Sequence, residues 1–278
     1  MKAIGLTRYL PIEDPDSLQD LSVDPPASPQ GQDILVQVQA VSVNPVDTKL
    51  RAPKAGEESP ARILGFDAAG TVVAVGPEVT AFEVGDEVYY AGDVTRPGCD
   101  AQLQLVDERL VGRKPTTLDF AEAAALPLTT LTAWELLVER MPLLPQLQAL
   151  GIDHVQVALN LADTDHYWDE LGELLAPQGH VGLIVEPRGP LRIGDPYKAK
   201  CIGIHWEFMF ARARFATADR IEQHRILNRA ASMIDAGQLR GTLSEVLGPI
   251  NAANLEAAHQ RLASGRTIGK LALAGWDD

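Results

Sequence analysis

Residues 121–135, AEAAALPLTTLTAWE, divide this chain into two kinds of sequence. The stretch is alanine-rich, and Thr116 and Thr117 stand ahead of it as caps for a helix over 118–125. Pro127 interrupts that helix. Helical spacing resumes over 129–140, with Leu131, Trp134, Leu137 and Val138 on one side, until Pro142 and Pro145 end it. No glycine occurs between Gly112 and Gly151, and no Gly-x-Gly pair occurs anywhere in the chain.

Upstream, residues 1–113 read as all-β. The segment 33–43, DILVQVQAVSV, alternates and is rich in β-branched residues, as a half-buried strand should be. Further strands are expected over 2–6, 70–75, 87–90, 101–106 and 110–113, separated by turn signals such as Pro25-Pro26, Gly76-Pro77 and Pro97-Gly98. Short strands with Gly and Pro turns suggest a small barrel whose core includes Ile34, Val36, Val38, Val72 and Val88. Downstream, strands and helices alternate: strand 155–161, helix 166–175, strands 180–186 and 201–205, helices 217–236 and 252–263, and a closing strand over 270–274. That rhythm belongs to a parallel α/β sheet.

The net charge of -14 over 278 residues argues against a nucleic-acid partner, which needs clustered Lys and Arg. Two cysteines, Cys99 and Cys201, make neither a disulfide framework nor a metal spacing, and a reducing cytoplasm fits them best. The opening MKAIGLTRYLPIEDPDS has no apolar signal region, and no apolar run approaches the ~18 residues of a membrane span. A cytoplasmic protein with no membrane partner is expected.

Several segments, in order, carry a resemblance: VSVNPVDTKLR (41–51), ILGFDAAGTVVAVGPEV (63–79), FEVGDEVYYAG (82–92), AEAAALPLTTLTAWELL (121–137), LLAPQGHVGLI (174–184) and SGRTIGKLAL (264–273). Together they resemble the medium-chain dehydrogenase/reductase superfamily, in its zinc-type alcohol dehydrogenase-like branch close to quinone oxidoreductases. The resemblance implies an α/β fold with an N-terminal GroES-like β-barrel and a truncated Rossmann-like parallel sheet. The boundaries it implies are 1–115 for the barrel and 116–257 for the truncated Rossmann-like domain, with 258–278 returning to the barrel. It also implies NADPH as cofactor and a quinone or an activated carbonyl or enone compound as substrate.

The departure from the family is as specific as the likeness. A dinucleotide fold needs a Gly-rich turn that brings backbone N–H groups and a helix N-terminus against the pyrophosphate. After Arg140 this chain passes almost directly to PLLPQLQALGIDHV, which resembles the approach to the fourth Rossmann strand. A βαβ unit takes ~30 residues or more, so roughly 60 residues of βαβαβ are missing. Two functional readings follow. One is an NADPH-dependent, zinc-independent oxidoreductase with impaired activity; the other is a non-catalytic descendant that keeps the barrel and an oligomerising half-sheet. With its neighbours gone, strand 155–161 becomes an unguarded sheet edge, so a homodimer or larger self-association is expected.

Site residues follow from the resemblance. Asn44 and Asp47, in Asn-Pro-Val-Asp, match residues lining the nicotinamide and substrate cleft, and the Asn44 amide could donate to a carbonyl oxygen as charge develops there. Their alternative reading is turn chemistry. Thr130 and Lys270 match cofactor contacts; alternatively Thr129 and Thr130 cap a helix and Lys270 is solvated. Tyr90 matches a catalytic, cleft-shaping position, with barrel core as its alternative. The run HWEFMFAR (205–212) either lines the nicotinamide face or packs a domain seam. No zinc is expected, because the stretches matching the family's catalytic ligands read Pro45-Val46-Asp47 and Gly65-Phe66-Asp67, with neither Cys nor His. No Gly-x-Ser-x-Gly nucleophile motif is present.

Overall fold

The computed structural model describes residues 1–136 and 154–277. They fall into two compact units, Met1–Thr130 with Phe210–Asp278, and Leu131–Met209.

The first unit contains strands β1 (Lys2–Arg8), β2 (Gln19–Ser22), β3 (Asp33–Ser42), β4 (Glu57–Ile63), β5 (Ala68–Val75), β6 (Glu87–Tyr90), β7 (Leu103–Asp107) and β8 (Val111–Arg113). Helix α1 (Pro45–Arg51) lies between β3 and β4, and α2 (Phe120–Ala124) and the start of α3 (Pro127–Trp134) follow β8. The later chain adds α5 (Ala211–Arg214), α6 (Glu222–Asp235), β12 (Leu243–Val246), α7 (Ala252–Ala263) and β13 (Lys270–Ala274). The remaining elements, β9 (Val155–Asn160), α4 (Thr164–Leu174), β10 (Leu175–Leu183) and β11 (Gly203–Trp206), make the second unit.

Strand β3 organises the first unit. Its alternation buries Ile34, Val36 and Val38 and exposes Gln37, and Val72 and Val88 join the same core. From Ala40 to Ser42 the alternation stops and every residue is buried, which is where β13 pairs with β3. Gly70, opposite Val38, is required there: a Cβ would stand 2.2 Å from the Gln37 carbonyl oxygen.

The expected barrel is not formed. Strands run β12-β13-β3-β5-β6-β8 in one sheet with β7 also on β3, while β2-β1-β4 makes a separate three-stranded sheet. Closure would need the end strands to hydrogen-bond. A 3₁₀ turn (Glu108–Leu110) separates β7 from β8, and β8 lasts three residues before Lys114 and Pro115 end it. Only the isolated Ala3–Ala101 bridge links β1 to the neighbourhood of β7. Among the described residues, therefore, no sheet closes, and the N-terminal region is a pair of open sheets.

Several boundaries also move for local reasons. Helix α2 starts later than expected because Asp119, not Thr116 or Thr117, is its cap. The Asp119 carboxylate accepts the Glu122 N–H at 2.8 Å, and the Glu122 carboxylate accepts the Asp119 N–H at 2.9 Å. Thr116 and Thr117 instead donate to Asp235 at the end of α6. Pro127 opens α3 at a position that needs no N–H donor. The rest of the expected helix over 129–140 and its closing prolines extend outside the described residues.

In the second unit the sheet is parallel and short, ordered β11-β10-β9. Among the described residues β9 pairs with β10 alone. Trp168, Leu175, Val181, Leu183 and Tyr197 form its core, with the Trp168 and Tyr197 rings stacked at 4.2 Å. Lys200 closes α4, its ammonium donating to the carbonyls of Gly172, Glu173 and Leu175 at 2.8–3.0 Å. No helix among the described residues is long and apolar enough to cross a membrane.

His259, on α7, is 1% exposed and neither ring nitrogen has a hydrogen-bond partner. Burial, and then the Arg51 guanidinium, hold its pKa down to about 3. The unfolded chain therefore binds this proton at a higher pH than the folded one, so the stability that neutral His259 contributes is complete above about 6.5 and is lost as pH falls. Acidification should cost about 1.4 kcal/mol per pH unit from this group between 6.5 and 3. Urea denaturation from pH 7 to 4.5 should show the stability difference between the parent chain and His259→Leu changing with that slope; equal slopes for both proteins would reject the assignment.

Candidate functional site

The polar centre of the first unit is Asp67, in the turn entering β5. Its side chain is fully buried and yet anionic in its contacts. Oδ2 accepts from the Lys270 ammonium at 2.9 Å, the Asn44 amide at 2.8 Å and the Ser42 hydroxyl at 3.1 Å. Oδ1 accepts the Leu128 N–H at 2.7 Å, in the first turn of α3. One carboxylate thus ties together the end of β3, the start of β5, β13 and α3.

Asn44 and Lys270, given separate roles by the resemblance, are in direct contact, and both face inward. Lys270 is 8% exposed, and its ammonium donates to Asp67, to Asn44 Oδ1 at 2.5 Å and to the Val43 carbonyl at 3.1 Å. An ammonium has three protons to give, and all three are taken. Asn44 is 0% exposed, with its carbonyl oxygen on Lys270 and its NH₂ on Asp67. The Asn44 N–H donates to Asp47 Oδ2 at 2.7 Å, which fixes the start of α1, so the turn chemistry of Asn-Pro-Val-Asp is present as well.

The other Asp47 oxygen is buried without a partner. Burial is the main cause that raises the Asp47 pKa to about 7, against the Asn44 N–H and Lys270, which lower it, while Asp67 adds to the rise. Asp100 is pushed well above the carboxylate range by burial and by Asp47, and the Cys99 thiol is pushed up by burial and by Asp100. Burial removes the water that would screen these carboxyl groups, so Asp47 and Asp100 both titrate high. Gly65, at φ +97°, makes the crowding sterically possible: a Cβ there would stand 2.5 Å from Asp100 Oδ1 and 2.7 Å from Cys99 Sγ.

Tyr90 lies in the strand core, 1% exposed, and its buried hydroxyl has no hydrogen-bond partner. Burial raises its pKa well above the ordinary phenol value. Thr130 is half-buried inside α3, its N–H donating to the Leu126 carbonyl; Thr129, whose hydroxyl donates to the same carbonyl at 3.1 Å, also lies within the helix rather than capping it. From the run 205–212, Phe210 packs edge-on to Phe66, with ring centroids 5.2 Å apart. Asp67, Ser42, Cys99 and Asp100 were not singled out from sequence as site residues. A signal existed for Asp67: an acid inside the apolar run ILGFDAAG must be buried, and a buried charge requires partners.

Residues 30–128 match the alcohol dehydrogenase GroES-like domain, and residues 131–273 match the zinc-binding dehydrogenase family. The chain belongs to the zinc-type alcohol dehydrogenase-like family. A zinc-type alcohol dehydrogenase-like protein of Staphylococcus aureus is 32% identical, covering 98% of this chain and 99% of that protein. A crystal structure from Rhizobium etli CFN 42, of a protein put forward as a zinc-dependent alcohol dehydrogenase, is 39% identical with TM-score 0.91, covering 100% of this chain and 99% of that one. A 2-methylene-furan-3-one reductase of Solanum lycopersicum is 38% identical over 49% of this chain and 36% of its own length. The S. aureus alignment runs 337 positions against a chain of 278, so at least 59 positions have no counterpart here. Since it reaches 99% of the relative, nearly all of that shortfall is internal. The Rossmann-type sheet is shortened relative to other members, and the three parallel strands β9–β11 are its described part.

Among the described residues no group of three or more His, Cys, Asp or Glu side chains is placed to hold a metal ion. The cluster already contains its cation, Lys270.

A dinucleotide does not fit the described residues. The strand–turn–helix unit formed by β9 and α4 carries its own anion at the helix N-terminus, where the Asp163 carboxylate accepts the His166 N–H at 3.0 Å and Asp165 lies in the first turn. Arg188 is bound to both of these carboxylates. A pyrophosphate needs free donors at such a helix start and would meet carboxylates.

Two outcomes follow from the cluster. Lys270→Met leaves the Asp67 carboxylate buried without its cation and should destabilise the protein by about 3–5 kcal/mol, with much of the loss recovered in the Lys270→Met, Asp67→Asn pair; additive losses in a denaturation double-mutant cycle would contradict the pairing. Asp47 binds its proton more tightly folded than unfolded, so the stability it contributes is complete below about 3.8 and is lost as pH rises through 7. Asp47→Asn should therefore raise Tm at pH 8, raise it less at pH 5 and leave it nearly unchanged below about pH 3.8.

Proposed function

We propose that this chain is a zinc-independent oxidoreductase of the branch that reduces quinones and activated carbonyl or enone compounds, with impaired activity because its own affinity for NADPH is low. The substrate class is supported by the ordered sequence resemblance to that branch and by the similarity to a furanone reductase over about half of this chain. The cofactor is implied by the resemblance, and the impairment by its misfit.

The observation that carries the reading is the absence of any Gly-x-Gly pair from the chain, while the strand–turn–helix unit that remains starts on its own Asp163 carboxylate. A lost Gly-rich turn removes two or three charge-assisted hydrogen bonds of about 1.5–3 kcal/mol each. At about 1.4 kcal/mol per tenfold change, affinity falls by several powers of ten.

In this reading the acceptor's oxygen is polarised by the Asn44 amide, which Asp67 and Lys270 hold in one orientation and keep from rotating. Asn44, 0% exposed here, then meets substrate through its remaining amide N–H only when the site opens, and Asp67 and Lys270 are positioning residues. The alternative, a non-catalytic descendant, is favoured by the same misfit, and a single experiment separates the two.

NADPH titration of the purified chain, followed by nucleotide fluorescence, should show no saturation in the micromolar range and only slow quinone reduction at millimolar NADPH. Slow turnover that disappears in Asn44→Ala supports the impaired enzyme. No turnover at any NADPH concentration supports the non-catalytic descendant. Saturable micromolar binding with fast turnover would reject the impairment.

A further inference from the structure

The Lys270 ammonium has the surroundings of a bound metal ion. Three oxygens touch it: Asn44 Oδ1 at 2.5 Å, Asp67 Oδ2 at 2.9 Å and the Val43 carbonyl at 3.1 Å. A carboxylate, a side-chain amide and a backbone carbonyl make the donor mixture of sites for hard cations such as Ca²⁺, Mg²⁺ and Mn²⁺. The Asn44 amide fits one way round only. Its NH₂ donates to Asp67 Oδ2 at 2.8 Å, which leaves its oxygen for the cation. Ca²⁺–oxygen distances run about 2.3–2.6 Å, so an ion in the ammonium's place would draw these oxygens in by roughly half an ångström or less.

Zinc, the metal of the wider family, does not fit this set. Its centres are built largely from thiolate and imidazole, whereas all three hydrogen bonds of the ammonium go to oxygen. The nearby thiol is spent elsewhere: Cys99 Sγ donates to the Asp67 carbonyl at 3.4 Å. Burial, then Asp100 and Asp47, keep it protonated, and a thiol is not a metal ligand until it loses its proton.

The charge count points the same way. Among the described residues Asp67 has one ion-pair partner, Lys270. Asp47 and Asp100 add to the negative side, since Asp67 acts on Asp47 and Asp47 on Asp100 through space. Without Lys270 the cluster is left with a buried carboxylate and no cation, a state that strongly favours uptake of one. Cutting the side chain back to alanine removes three methylenes and the ammonium, and Lys270 is 8% exposed where Asp67 is 0% exposed, so the space vacated lies on the solvent side of the carboxylate.

We propose that Lys270 is the residue that keeps this centre free of metal: its ammonium is a tethered replacement for an oxygen-bound divalent ion, and the same oxygens take up such an ion once the side chain is removed. The proposal rests on the zinc-independent reading and deepens it by naming the residue responsible. NADPH and substrate play no part in it, so it is read by metal binding and not by turnover, and fast turnover would reject the impaired reading while leaving this one standing.

The test follows Mn²⁺ by electron paramagnetic resonance with the full chain. The parent should show no tight site. Lys270→Ala should bind one Mn²⁺ per chain, at least about a hundredfold more tightly than the parent, the scale of an uncompensated buried charge. Adding Asp67→Asn to Lys270→Ala should abolish the site. Propylammonium, which is the removed part of the side chain, should compete with Mn²⁺ and should raise the Tm of Lys270→Ala as the metal does. Should Lys270→Ala fail to fold unaided, each cation is supplied during refolding from urea and recovery of folded chain is the readout. A tight Mn²⁺ site on the parent, no Mn²⁺ site on Lys270→Ala whether folded or refolded with the ion, a site that survives Asp67→Asn, or rescue by propylammonium alone would each overturn the proposal.

Discussion

The ion pair between Asp67 and Lys270 is the constraint on which the first unit depends. A carboxylate with no solvent exposure is tolerated only when its charge and lone pairs are met, and here four donors from three parts of the chain meet them. Those donors lie 25, 23, 61 and 203 residues away from Asp67 in sequence. The pair therefore fixes where β13, at the far end of the chain, adds to β3. It also fixes the first turn of α3, where the β-rich half gives way to the helices. The hydrophobic core around Val36, Val72 and Val88 supplies the bulk of the burial, but it is non-directional and would accept other registers. The ionic cluster supplies direction.

The same cluster explains why its neighbours titrate abnormally. Lys270 hydrogen-bonds Asp67 and acts on Asp47 only through space, too weakly to offset burial, so protonation is how Asp47 and Asp100 become neutral. Asp47 is balanced near neutrality because it also caps α1 through the Asn44 N–H, which favours the charged form. A local backbone requirement and a long-range electrostatic one therefore act on the same carboxyl in opposite directions.

The strand content of the first unit was readable wherever alternation was strong. Residues 33–43 gave β3 and its buried face, and 270–274 gave β13 to the residue. What the pattern could not carry was how the strands join. A barrel and two open sheets share the same inward residues and differ only in whether end strands bond, which here is decided by a three-residue 3₁₀ turn and by Pro115. Helix α1 was hidden because Asn-Pro-Val-Asp signals a turn as readily as a helix start. Asn44 and Lys270 were found through resemblance to a family, whereas Asp67, which joins them, was passed over as a non-ligand in a zinc argument. Its role follows from burial, a property that periodicity does not report for a single acid.

The two units differ in how much chemistry they retain. The second has, among the described residues, a core cluster around Trp168, Leu175, Val181, Leu183 and Tyr197 and a helix start closed by its own Asp163 carboxylate, stabilised there by the N-terminal dipole and by Arg188. An acid at that position is a good choice for helix stability and a poor one for binding a phosphate, because both uses draw on the same unpaired N–H groups. In a complete dinucleotide fold the conflict does not arise, since a different strand–helix unit holds the pyrophosphate and the later ones are free to cap themselves. Loss of the first half removes the unit specialised for phosphate and leaves one specialised for its own stability. Substituting Asp163 would therefore expose the helix N-terminus but would not restore a glycine turn able to bring backbone N–H groups onto a phosphate. Polar chemistry in the first unit is subject to no such loss, because every partner of Asp67 lies within that unit.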